Sequence, residues 1–349
     1  MSGNRRAYFK RTLLNTCLCL AFFVTVNYMI GARILNRYYT NILNLVLIYV
    51  VAAVSLNLTC GYLGQLPLGH AGFMSLGGYT AAIITTRFSI PDIGPIPGQA
   101  VLFFLATVAG GIVAMIAGVL IGLPALRLKG DYLAIITLAF GEIIRVLVQN
   151  IKITGGAMGM GGIGKYTNFS WGFFWTVMVV AFTFLLVNSR HGRAIKSVRE
   201  DEIAAESVGI NLTYYKIVAF AGAAFFAGVS GSLFAHHICY LEPGNFGYNM
   251  SIEMLVMVVL GGLGSISGSI IAATVLTIVP EVLQTFATWK MIIYSLLLVV
   301  VMIFKPSGLM GDFELSAARL VRKIFRRKED VPQLPENYTE GEETDEQET

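Results

Sequence analysis

The sequence predicts an all-α, polytopic transmembrane helical bundle of about ten spans, and three observations predict it. Hydrophobic residues make up 55% of the 349 and charged residues only 13%, with a mean hydropathy of +0.69, whereas a soluble domain is about one-quarter charged. Apolar stretches such as 13–30, 101–123 and 291–304 approach or reach the roughly 20 residues needed to cross about 30 Å of hydrocarbon. Basic residues gather outside those stretches.

That third observation sets the orientation. Arg5, Arg6, Lys10 and Arg11 precede the first stretch, and Arg319, Arg322, Lys323, Arg326, Arg327 and Lys328 follow the last, so the positive-inside rule places both termini in the cytoplasm. The first stretch is longer than the apolar region of a signal peptide and runs on to Arg33 and Arg37 without a small-residue cleavage site, so it is read as a span. Spans are expected near 12–31, 41–60, 66–86, 101–124, 131–150, 171–189, 214–237, 252–264, 268–286 and 288–305. Arg127, Lys129 and the charged residues of 190–206 then fall inside, and the weakly charged loops 87–100, 151–170 and 238–251 outside. The domains that follow are a basic cytoplasmic N-terminus (1–11), a transmembrane domain (12–305) with a cytoplasmic segment at 190–212, and a cytoplasmic tail (306–349), basic and then acidic. Beyond Lys328 the tail turns acidic, with almost nothing apolar to bury, and disorder is expected.

Glycine is used 37 times, and two runs interrupt apolar sequence: 61–78 (GYLGQLPLGHAGFMSLGG) and 261–268 (GGLGSISG). Inside a membrane a helix can break only where freed backbone groups face protein or water, so such breaks are candidates to line a pathway. The candidate pathway residues are Gly69, His70, Gly72, Gly77 and Gly78 in the first run and Gly261, Gly262 and Gly264 in the second. If the spans form two halves of five, the odd number makes them inverted repeats with the runs at roughly equivalent places.

Catalytic and ligand-binding motifs are weak by comparison. Residues 159–165 mimic GxGxxG and most of a P-loop, but Tyr166 stands where magnesium needs a hydroxyl and no strand precedes them. A flexible connection or gate is the expectation there. His236 and His237 project from different sides of a helix and read as interfacial polar residues. Cys17, Cys19, Cys60 and Cys239 lack zinc-ligand spacing and read as buried apolar thiols, so no metal site is expected. Glu142 and Arg145, three apart in an apolar run, can pair on one helix face, and they join Glu253 as costly intramembrane charges that face protein or water. All three are therefore further candidates for the pathway, beside the reading of a structural salt bridge. No catalytic constellation and no nucleic-acid partner are indicated.

The most informative segment is 191–211, HGRAIKSVREDEIAAESVGIN, too polar for membrane and flanked by two strong spans. Ala194, Val198, Ala204, Ala205 and Val208 form a small-residue face and Gly209 can end a short helix, which a motor subunit could grip.

Here the sequence resembles the permeases of branched-chain amino acid ABC importers over most of 40–310. The matching segments are GYLGQLPLGHAGFMSLGGYTAA (61–82), LKGDYLAIITLAFGEIIR (128–145), ITGG (153–156), GRAIKSVREDEIAAESVGIN (192–211) and SIEMLVMVVLGGLGSISG (251–268). The resemblance implies a permease in a bacterial inner membrane, paired with a related second permease, two ATP-binding cassette subunits and an extracytoplasmic solute-binding protein. ATP and magnesium then belong to other chains, and this chain carries no cofactor. It also implies that 192–209 docks on the ATPase through Gly192, Arg193, Arg199, Glu200, Asp201, Glu202, Ala204, Ala205 and Gly209. The importer pattern of EAA, three residues and glycine is kept at Ala204, Ala205 and Gly209, while Ile203 takes the glutamate's place. Urea, short-chain amides or other amino acids are alternative solutes, and an ion-coupled carrier using Glu142 or Glu253 is an alternative class.

Overall fold

The computed structural model describes residues 20–91, 97–126, 128, 130–283, 299, 303, 308 and 309. The basic N-terminus, Cys17, Cys19, Arg127, Lys129, nearly all of the span expected at 288–305 and the acidic tail lie outside the described residues.

Eleven α-helices are described: α1 (Leu20–Gly31), then α2 (Arg37–Asn57), α3 (His70–Arg87), α4 (Gly98–Ala125), α5 (Asp131–Asn150), α6 (Phe169–Asn188), α7 (Arg190–Glu200), α8 (Glu202–Ser207), α9 (Leu212–Ile238), α10 (Tyr248–Gly261) and α11 (Ile266–Val282). The protein is a polytopic helical membrane protein. Among the described residues, four helices are each long and apolar enough to cross a bilayer: α2 with its continuation to Tyr62, α4, α6 and α9. Their burial differs, with 72% of the apolar window buried in α2 and α9 but only 28% in α6. Thus α2 and α9 are the central pair, and α6 turns most of its apolar surface outward, as a lipid-facing helix does.

Small residues make the centre possible. A Cβ on Gly77 of α3 would lie 2.1 Å from the Gly228 carbonyl oxygen of α9, and one on Gly231 of α9 would lie 1.8 Å from the Met74 carbonyl oxygen. α4 joins through Gly110, whose Cβ would come within 2.6 Å of the Gly77 carbonyl oxygen. Backbones this close replace the missing hydrophobic drive between helices in lipid. Hydroxyls add to it: Ser230 donates to the Ile48 carbonyl at 2.9 Å and Ser232 to the Gly77 carbonyl at 3.1 Å.

Two expectations are corrected. His236 is not interfacial: it is fully buried, its Nε2 bonded to the Thr85 hydroxyl at 2.9 Å, its Nδ1 donating to the Ser232 carbonyl at 2.8 Å, and its ring 4.8 Å from that of Phe103. A histidine with both nitrogens bonded can sit in the core at little cost. The glycine-rich segment before α6 is not a loose connection either. It makes two 3₁₀ turns, Lys152–Thr154 and Gly156–Met158, and pairs Met160 with Leu241 through backbone bonds of 2.8 and 2.9 Å. Gly159, at φ +78°, lies so near Leu241 that a Cβ would come 2.3 Å from its carbonyl oxygen. The glycines permit docking, not slack.

Candidate functional site

The two glycine runs meet. After Asn57, α2 widens into one π-helical turn, Leu58–Tyr62, before the chain straightens and α3 begins. α10 stops at Gly261, Gly262 and Gly264 take φ of +107° and +88°, and α11 starts from Ser265, whose hydroxyl accepts from Gly268 N. Asn57 joins the two breaks with both ends of its amide: Nδ2 donates to the Ser265 carbonyl at 3.0 Å and Oδ1 accepts from Gly264 N at 2.9 Å. The Gly264 N–H freed by the break needs such a partner, while the Ser265 carbonyl also accepts from Ser269 N at 3.1 Å, so one buried amide ties the start of α11 to α2. Gly61 closes the seam, since its Cβ would lie 2.1 Å from Gly264 N.

The candidate pathway residues therefore fall in three places. Gly261, Gly262 and Gly264 form the seam, where Gly261 packs on Gly268. Gly69 and Gly72 instead face α5, with Cβ positions 2.2 Å from the Thr137 carbonyl oxygen and 2.9 Å from Gly141 Cα. His70 begins α3 buried, its Nε2 bonded to the Ser55 hydroxyl at 2.9 Å. Gly77 and Gly78 belong to the contacts of α3 with α4 and α9.

Glu142 and Arg145 do pair, at 2.6 Å, each side chain about one-third exposed (30%). The other carboxylate oxygen of Glu142 accepts from the backbone N–H of Tyr248 at 3.1 Å. Tyr248 is the first residue of α10, so a negative charge on α5 satisfies an unpaired donor and faces the positive end of that helix. Glu253 lies on the exposed side of α10.

The polar segment is two helices rather than the expected one. Ser189 caps α7 by accepting from Gly192 N, and Asp201 interrupts the segment and caps α8 by accepting from Ile203 N and Ala204 N at 2.8 and 3.1 Å. An aspartate in extended conformation is a strong helix start, which is why 192–209 bends there. Gly209, at φ +85°, ends α8. Gly192 lies against the end of α6, where a Cβ would meet the Leu186 and Val187 carbonyl oxygens. Ile195, Val198 and Ala205 are buried beneath the pair, and Arg193, Glu200, Asp201 and Ala204 are exposed. The small-residue face divides accordingly: Val198 and Ala205 point inward, Ala204 and Val208 outward.

Two further ties were not read from the sequence. Lys216 of α9, its side chain 5% exposed, meets Glu202 at 2.5 Å, and Arg199 Nη1 donates to the Gly61 carbonyl at 2.6 Å. A lone lysine inside an apolar span is the signal that could have found the first. Glu202→Ala strands the Lys216 charge and is expected to destabilise the docked α8 by up to about 3 kcal/mol. Faster amide hydrogen exchange across 203–209, with α9 unchanged, is the observation that checks it.

Against this geometry, a family model described as the branched-chain amino acid transport system / permease component matches residues 38–304. The chain belongs to this permease family. It resembles LivM of Escherichia coli K12, a high-affinity branched-chain amino acid transport system permease, at 34% identity over 79% of this chain and 70% of that protein. A probable LivM of Methanocaldococcus jannaschii is 24% identical over 80% of this chain and 94% of that one. LivH of E. coli K12 is 25% identical over 75% and 91%. No solved structure gives a significant match. The chain is thus a permease component of an ABC transport system, a transporting part rather than an enzyme.

Proposed function

We propose that this chain is one of two related permease subunits that move leucine, isoleucine or valine into a bacterial cytoplasm, driven by two ATP-binding cassette subunits that hold ATP and magnesium and supplied by an extracytoplasmic binding protein. Likeness to both LivM and LivH supports a paired permease of common ancestry. In this reading the chain has about ten spans, both termini in the cytoplasm and two inverted halves, each holding one glycine break.

The observation that carries the coupling assignment is the two-sidedness of α7 and α8. The pair is anchored from behind by Ile195, Val198, Ala205 and the Glu202–Lys216 ion pair. In front it presents Ile203 and Val208, 76% and 75% exposed, beside Arg193, Glu200, Asp201, Ala204 and Gly209. Two large apolar side chains on a polar helix with no lipid to cover them suit insertion into a cleft on a motor subunit. Ile203 supplies apolar contact where the general importer pattern places glutamate. Closure of the ATPase dimer would push this helix pair and shift the seam between its inward and outward openings.

The test is reconstitution of the permease pair, the ATPases and the binding protein into liposomes. ATP-driven leucine uptake that survives a protonophore is expected. The double change Arg193→Glu with Gly209→Val, which reverses a surface charge and strains the α8 stop, is expected to cut uptake at least about tenfold with the complex still assembled. Full uptake by that variant sinks the coupling assignment. Uptake of another solute but not leucine by the unsubstituted complex moves the solute alone.

A further inference from the structure

We propose that Arg199 is a positioning residue that latches the two glycine breaks together and hands them the movement of α7, instead of contacting the ATPase. The proposal rests on the reading of 190–212 as the segment the ATPases move.

Its basis is the convergence of three segments on one guanidinium. In the π-helical turn the chain leaves α2 before the last carbonyls find helical partners, and Arg199 Nη1 fills the gap at the Gly61 carbonyl with a charge-assisted bond of 2.6 Å. The stem of the same side chain lies on Gly64, where a Cβ would come 2.9 Å from Arg199 Cγ. At φ +75° and under that stem, Gly64 has neither the conformation nor the room for a side chain. Nη1 also reaches the other break, since a Cβ on Gly264 would lie 3.2 Å from it and 3.5 Å from the Gly61 carbonyl oxygen. One turn earlier on α7, Lys196 Nζ stands 5.6 Å from the centroid of the Tyr62 ring. Two cations on one face of α7 therefore grip the π-helical turn, and one of them touches the seam itself.

A rigid displacement of α7 has two discrete results. Either the Gly61 carbonyl follows the guanidinium, or the bond breaks and that carbonyl must turn to water. Each separates Gly61 from Gly264, which now stand in backbone contact, so a small movement at the cytoplasmic surface becomes an opening of the seam.

Cys60, 3% exposed and adjacent to Gly61, reports that opening. In the full-length chain with Cys17, Cys19 and Cys239 changed to serine, Arg199→Ala is expected to speed maleimide alkylation of Cys60 at least about tenfold, the population change that loss of one charge-assisted hydrogen bond brings. Arg199→Lys, which keeps the charge on a shorter single-point donor, is expected to raise it less. A second reporter, Ser232→Cys with Cys60→Ser, sits fully buried in α9 and is expected to stay unreactive in both. In the reconstituted complex, leucine taken up per ATP hydrolysed is expected to fall at least about tenfold for Arg199→Ala. Unchanged Cys60 alkylation, or equal acceleration at both reporters, overturns the latch. Faster Cys60 alkylation with normal uptake per ATP overturns its part in transmission. Absence of uptake of any solute by the unsubstituted complex instead overturns the proposed ATP-driven import, and the alkylation result still decides the latch.

Discussion

Gly77→Ala is expected to remove nearly all folded protein, whereas Gly31→Ala leaves it unchanged. The chemistry is the same single methyl group. At Gly77 the added Cβ would sit 2.1 Å from the Gly228 carbonyl oxygen and 2.3 Å from Gly228 Cα, while at Gly31 nothing lies within 4 Å. The obstruction is backbone, so no rotamer change relieves it, and α3 and α9 must move apart. That separation also disturbs the Ser232 bond to the Gly77 carbonyl and the approach of α4 through Gly110. Overpacking of a core costs about 1–3 kcal/mol where side chains can yield, and more is expected where they cannot. Lipid offers no hydrophobic penalty for helices that part, so nothing offsets the loss. The monodisperse fraction after detergent extraction, with protease resistance of the inserted chain, measures it. Equal yields of the two variants would mean that α3 and α9 do not pack as described.

The same contact shows what could be read beforehand. Apolar runs report directly on membrane burial, so helices expected at 101–124, 131–150, 171–189 and 214–237 appear as Gly98–Ala125, Asp131–Asn150, Phe169–Asn188 and Leu212–Ile238. Glycine runs report permission for a close approach but not the partner. Gly77 and Gly78 share a run with Gly69, which makes all three pathway candidates by sequence, yet they face different helices. The partners are remote in sequence: Asn57 and Gly264 are 207 positions apart, and Arg199 and Gly61 are 138 apart. No local pattern encodes such pairs. His236 illustrates the opposite error, since a polar residue near a span end reads as interfacial until Thr85 and Ser232 are seen to satisfy it. Within the polar segment, Asp201 carried the information that two helices lie there, and the charge pattern around it concealed a cap.

Asn57 and Asn44 lie on one buried helix and are expected to respond to leucine with opposite signs. By hydrophobicity alone both substitutions should help, because each replaces a polar residue in α2 by an apolar one of similar volume. Asn44→Leu is expected to be neutral or stabilising: Asn44 is 4% exposed and its Oδ1 has no hydrogen-bond partner among the described residues, so the change removes an unsatisfied group. Asn57→Leu removes two bonds: the Ser265 carbonyl still accepts from Ser269 N and Oγ, both at 3.1 Å, but the Gly264 N–H is left without its acceptor. A buried donor without a partner costs about 1–3 kcal/mol, so the second break loses roughly that much support. Gly264 cannot recover by relaxing, because Gly61 and Arg199 already fill the space around it. The loss is expected to fall on the seam first, with Cys60 alkylated about tenfold faster and ATP-driven leucine uptake sharply reduced, while α9 keeps its protection from hydrogen exchange. Wild-type uptake by Asn57→Leu would show that α10 and α11 hold their break without α2, and the two glycine runs would then have to act independently.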